Sequence, residues 1–154
     1  MWKAFQRFRA LDRESRKLFW QAVILLPVIA TFLRFRGFKK AKDALQAQLP
    51  SSSLQKENEK AVPAVQRTCR MISAAARHGI AHPTCLVESL ALWYLLQKQG
   101  IPADFRIGVR KLTNKFEAHA WVEFGGVALN QPEEPHRHYA AFDTSFSDFR
   151  GDPP

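Results

Sequence analysis

Residues 82–103 read HPTCLVESLALWYLLQKQGIPA, and the fold turns on how this stretch is read. Pro83 and Thr84 are helix-start residues, while Gly100 and Pro102 are stop signals, so the pattern predicts a helix opening beside Cys85 and ending near Gly100. Between Leu86 and Leu96 only Glu88 and Ser89 are polar. A helix this apolar around its circumference must be buried nearly all round. It is therefore expected to be the central element of the domain.

Beyond Gly100 the apolar period drops to two. Phe105, Ile107 and Val109 alternate with Arg106, Gly108 and Arg110, which predicts a strand with one face in the core. Thr113-Asn114-Lys115 is a turn, EAHAWVEF (117–124) a second strand, Gly125-Gly126 a hairpin turn and VALN (127–130) a third strand. Residues 132–138 read as a polar loop, and His138–Asp143 as another short strand. Helices precede a run of antiparallel strands, so the class is α+β.

Toward the N-terminus, apolar residues recur helically through Val62, Val65, Cys69, Ile72 and Ala76, up to Gly79. Before them PSSSLQKENEK (50–60) is a polar connector. Residues 1–50 alternate basic and apolar blocks, with an apolar run of 16 residues from Leu18 to Leu33. A membrane-spanning helix needs about 20 predominantly apolar residues, and this run is interrupted by Gln21, Pro27 and Thr31. Two helices meeting near Pro27 are expected, buried against the domain or a partner, with an interfacial membrane helix as the alternative. The chain thus divides into an N-terminal helical segment, 1–50, and a domain, 51–154.

A chain of 154 residues suits one domain and buries roughly 70% of the surface it exposes when unfolded. Seven Gly, nine Pro and 46% hydrophobic residues exclude a collagen-like or wholly disordered chain. Two cysteines are too few for a disulfide framework, and a cytoplasmic location is expected. The net charge of +9 points to an acidic partner, but residues 1–50 carry +8, residues 51–100 carry +3 and residues 101–154 carry −2. The basicity belongs to the N-terminal segment. Without a nucleic-acid-reading motif it favours a protein partner or membrane surface over nucleic acid.

The chemistry centres on Cys85 and His119. The first turn of a helix has backbone N–H groups without helical acceptors and a partial positive charge, both of which favour thiolate. Cys69, mid-helix among apolar neighbours, reads as a small buried hydrophobe. In EAHAWVEF, alternation places Glu117, His119, Trp121 and Glu123 on one face and Ala118, Ala120, Val122 and Phe124 on the core face. A strand histidine paired with a helix-start cysteine suits general base and nucleophile, with a third group to orient the imidazole. A two-residue hairpin puts Asn130 opposite Trp121 and on the face of His119, a one-residue bulge brings Gln131 there instead, and Asp143 is a third candidate. The scattered histidines, without CxxC or a helical i, i+4 pair, do not make a metal site, and no cofactor is expected.

TCLVESLALWYLLQKQGIPADFRIGVRK (84–111), followed by EAHAWVEFGGVALNQ (117–131), resembles the transglutaminase-like cysteine peptidases that cleave leaders in lasso-peptide biosynthesis. The resemblance implies a papain/transglutaminase-like fold with the cysteine helix packed on an antiparallel sheet. It also implies proteolysis between the leader and core of a ribosomally made precursor peptide, with Cys85 as nucleophile and His119 as general acid and base. The implied partners are a leader-binding partner protein, acting in trans, and an asparagine-synthetase-like lasso cyclase that takes the freed core. The family usually carries an acidic residue where this chain has Gln131, so Asn130 and Asp143 remain alternative orienters. The competing readings are a non-catalytic peptide-binding module, or an acyltransferase or amidase using the same Cys–His pair.

Overall fold

The computed structural model describes residues 11–49, 61–79, 83–112, 115–130 and 140–141. Three helices pack on one small antiparallel sheet: α1 (Arg13–Gln46), α2 (Val62–His78) and α3 (Cys85–Lys98), then β1 (Asp104–Leu112), β2 (Lys115–Phe124), β3 (Val127–Ala128) and β4 (Ala140–Ala141). The sheet order is β3-β2-β1-β4. This is the α+β arrangement with a central helix that the patterns predict. The connector at 50–60 and the loop at 132–138 lie outside the described residues.

α3 is central because its middle is apolar on every side. Val87 and Ser89–Leu96 are all buried, with Leu90, Ala91, Leu92 and Leu96 at 0% exposure. Each such leucine contributes roughly 1.5–3 kcal/mol through burial. The helix closes at Gly100, where the Ile101 N–H returns to the Leu96 carbonyl at 3.0 Å and the Gly100 N–H to Gln97 at 2.9 Å. That pair of bonds is a Schellman closure, and it satisfies two terminal carbonyls. It also aims the chain directly into β1.

The sheet faces follow the predicted alternation. Phe105 pairs with Val122 and Ile107 with Ala120, and all four join or pack on the core shared with the helices. Arg106–Trp121 and Gly108–His119 occupy the opposite face. Gly125 and Gly126 have φ of 58° and 76°. Positive φ at both central residues is the two-residue hairpin geometry whose twist matches the strands. Phe124 pairs with Val127 as the turn dictates, but β3 stops at Ala128 instead of running to Asn130. Of the candidate strand at 138–143, Ala140–Ala141 lie within the described residues and pair on β1.

α1 corrects one expectation. Its break lies at Gly37 (φ 76°, ψ 173°), and the helix continues through Pro27. Ala22, Leu26 and Ile29 form an unbroken buried stripe across the proline, and the backbone angles stay helical there. At Gly37 the chain turns so that Phe38 stacks on Phe105 at 5.7 Å and Ala41 and Leu45 enter the core. Lys42 is also largely buried here, its ammonium 5.9 Å from the Trp93 ring centroid, and burial pushes its pKa down. The Gly37 conformation is one that essentially only glycine adopts. Gly37→Ala should therefore cost about 1–3 kcal/mol of unfolding free energy in urea titration, although a methyl group there meets no neighbour. An unchanged midpoint would place the break elsewhere.

Candidate active site

Thr84 is the N-cap of α3, with extended backbone (φ −74°, ψ 162°) and a long 3.5 Å acceptor contact to the Val87 N–H. Cys85 is the first helical residue and is half-buried. The first intrahelical bond runs from the Glu88 N–H to the Thr84 carbonyl at 3.0 Å. The N–H groups of the opening turn, Cys85 among them, have no carbonyl one turn back to receive them. A cleft of about 510 Å³ opens beside this end, between Leu26, Ala30 and Arg34 of α1 and Thr84, Leu86 and Val87.

The helix that opens with Cys85 is linked to the strand that carries His119 at the edge of β2. The Leu129 N–H bonds the Val122 carbonyl at 2.9 Å, so Val122, and with it Ala120 two residues earlier, turns its polar backbone groups toward the β3 side. β3 is only two residues long, and among the described residues the Ala120 carbonyl and the Val122 N–H have no strand partners. Side chains supply them. The Ser89 hydroxyl donates to the Ala120 carbonyl at 2.9 Å, and Asn130 Oδ1 accepts from the Val122 N–H at 3.1 Å. The Asn130 amide then donates to Ser89 Oγ at 2.8 Å, closing the network. Ser89 is fully buried.

Ser89 lies one turn after Cys85 on the same helix face, and Ala120 directly follows His119. The buried Ser89–Ala120 bond therefore clamps the cysteine's helix to the histidine's strand at the open edge of β2. Sequence reasoning missed Ser89. The available signal was a hydroxyl inside a helix buried on all sides, where a polar group requires a partner.

His119 stacks beside Trp121 with ring centroids 6.0 Å apart and planes 15° apart, and its Nε2 is shielded from solvent. Trp121 is 2% exposed and donates to Glu123 Oε1 at 2.7 Å, while Glu123 Oε2 accepts from Arg106 Nε at 3.2 Å. The stacked tryptophan is anchored at its far end, which limits how the imidazole can swing.

The candidate orienting residues fare differently. The extended hairpin predicts Asn130 on the His119 face as part of a third strand. With β3 ended at Ala128, its amide turns to Val122 and Ser89, and both polar atoms are engaged there. Gln131 and Asp143 lie outside the described residues.

Cys69 faces the core, where burial pushes its thiol up to about 11. At neutral pH it is a closed thiol. Glu88, three residues after Cys85, is also raised by burial, an effect partly offset by the Arg77 charge. A carboxyl whose folded pKa is raised loses stability as pH climbs from the unfolded value through the folded one. Glu88→Gln removes that loss. The variant should be the more stable protein at about pH 8, with the difference vanishing below about pH 4 in parallel urea titrations. An advantage persisting in acid would contradict this origin.

A family model described as the transglutaminase-like superfamily matches residues 25–144, which takes in α2, α3 and the whole sheet. No curated protein and no solved structure gives a significant match.

Proposed function

The chain belongs to the transglutaminase-like superfamily, and from that membership we infer that it is a cysteine peptidase that removes the leader from a ribosomally made lasso-peptide precursor. The observation that carries the catalytic part is the clamp: one buried bond joins the helix that opens with Cys85 to the residue after His119. The substrate class rests on the TCL, GIPA, IGVRK and HAWVE segments and their resemblance to lasso leader peptidases.

The mechanism follows from these groups. His119 takes the thiol proton, and the Cys85 sulfur attacks the carbonyl carbon of the scissile bond. The oxyanion develops at the helix N-terminus, where the Cys85 N–H and the helix dipole stabilise negative charge. His119 then protonates the leaving amine, which becomes the N-terminus of the core. Water, deprotonated by the same imidazole, releases the leader as a free carboxylate. The leader-binding partner would present the precursor in trans, and the lasso cyclase would take the freed core.

Purified protein, cognate precursor and leader-binding partner, followed by mass spectrometry, test the reading. Hydrolysis predicts a leader with a free carboxylate and a core with a free amine. Transfer of the leader acyl group to an added amine would instead identify an acyltransferase.

A further inference from the structure

We infer that the outer face of α1 docks on an anionic lipid bilayer, with the helix lying along the membrane surface. This goes beyond the proposed peptidase activity and does not depend on it. α1 is apolar on two opposite faces. Leu18, Ala22, Leu26 and Ile29 form the inner stripe and are at most 7% exposed. On the other side Trp20, Ile24 and Val28 follow one another at i, i+4 and i+8, at 56, 64 and 53% exposure, and Phe35 extends the line at 76%. At 100° per residue, this second stripe points roughly 150° away from the first. A helix packed on a soluble core ordinarily turns polar residues outward.

Charge identifies the occupant. From Leu18 to Leu33 the helix carries no charged residue, while Arg13, Arg16 and Lys17 precede that stretch and Arg34, Arg36, Lys39 and Lys40 follow it. Only Glu14 and Asp43 are acidic in α1. An apolar strip bounded at both ends by long basic side chains matches a bilayer surface. There acyl chains receive the apolar groups, and phosphates on every side meet cations that extend along the interface. Trp20 suits the headgroup boundary, where an amphipathic ring is favoured.

The helix is long and apolar enough to cross a membrane. Spanning, however, would withdraw Leu18, Ala22, Leu26 and Ile29 from the core they share with α2 and α3. Lying flat keeps that core intact and covers only the outer stripe.

The test uses the full chain in co-sedimentation with phosphatidylglycerol vesicles and with phosphatidylcholine vesicles. Binding is expected to the anionic vesicles only, weakening at least about tenfold when salt is raised to about 0.5 M. The double variant Ile24→Glu/Val28→Glu should lose binding by at least about tenfold, and Arg13→Glu/Lys17→Glu should do the same. Both pairs are exposed, so circular dichroism should show unchanged helicity and unfolding midpoint. Four results would each overturn the proposal: no binding to anionic vesicles, equal binding to both lipids, binding unchanged in both variants, or a stripe covered by a second copy of the chain in light scattering without vesicles.

Discussion

Cys85→Ala is expected to remove essentially all cleavage of a leader–core precursor and to leave the fold intact. The residue is half-buried at a helix end, so deleting its sulfur opens no core cavity. The chemical loss is large because the proposed step runs through the Cys85 sulfur. In hydrolases of this design, losing the nucleophile or its base costs on the order of 10⁴–10⁶ in kcat. His119→Ala should fall in the same range, and Cys85→Ala/His119→Ala should be scarcely worse than either alone, since the two act as one unit. Cys69→Ala is the matched control. Its thiol sits near 11 through burial, and the expected activity is that of the parent. Residual activity above about 1% in Cys85→Ala would mean that another group attacks the peptide bond.

Ser89→Ala is expected to lower stability and rate together. The substitution strips the buried Ala120 carbonyl of its side-chain donor and the part-buried Asn130 amide of its acceptor. Leaving a buried polar group unsatisfied costs roughly 1–3 kcal/mol, so urea titration should show a loss of about that size. The rate should drop on the order of 10²-fold, because displacement of reacting groups by about 1 Å carries a penalty of that size. Ser89→Ala and Asn130→Ala should be strongly non-additive, as expected of one network. The pH dependence separates two roles for Asn130. A strut between helix and strand predicts a lower kcat with an unmoved pH profile. An orienter of His119 predicts a shifted limb where the imidazole titrates. The observed bonding favours the strut.

Much of this arrangement was legible in the chain. α3 could be read because its apolar residues circle the helix, a pattern that only complete burial satisfies. The faces of β1 and β2 could be read from strict alternation, and Phe124 opposite Val127 from two glycines that permit a single tight turn. Where several local choices were possible, tertiary packing decided. Pro27 was the evident breaker, yet the buried stripe from Ala22 to Ile29 spans it. The bend fell at Gly37, where Phe38 gains the Phe105 ring. Asn130 is placed by extending a strand that ends two residues earlier, and beyond that end Ser89 and Asn130 bond the β2 edge. Cys85 and His119 are proposed from residue type and position. The clamp between them depends on a contact 31 residues apart, which no local pattern records.

The most direct test of the account is mass spectrometry of the products from a cognate precursor, incubated with the leader-binding partner and either the parent protein or Cys85→Ala. The account predicts leader carboxylate and core amine with the parent and intact precursor with the variant. Cleavage that persists in Cys85→Ala would contradict it.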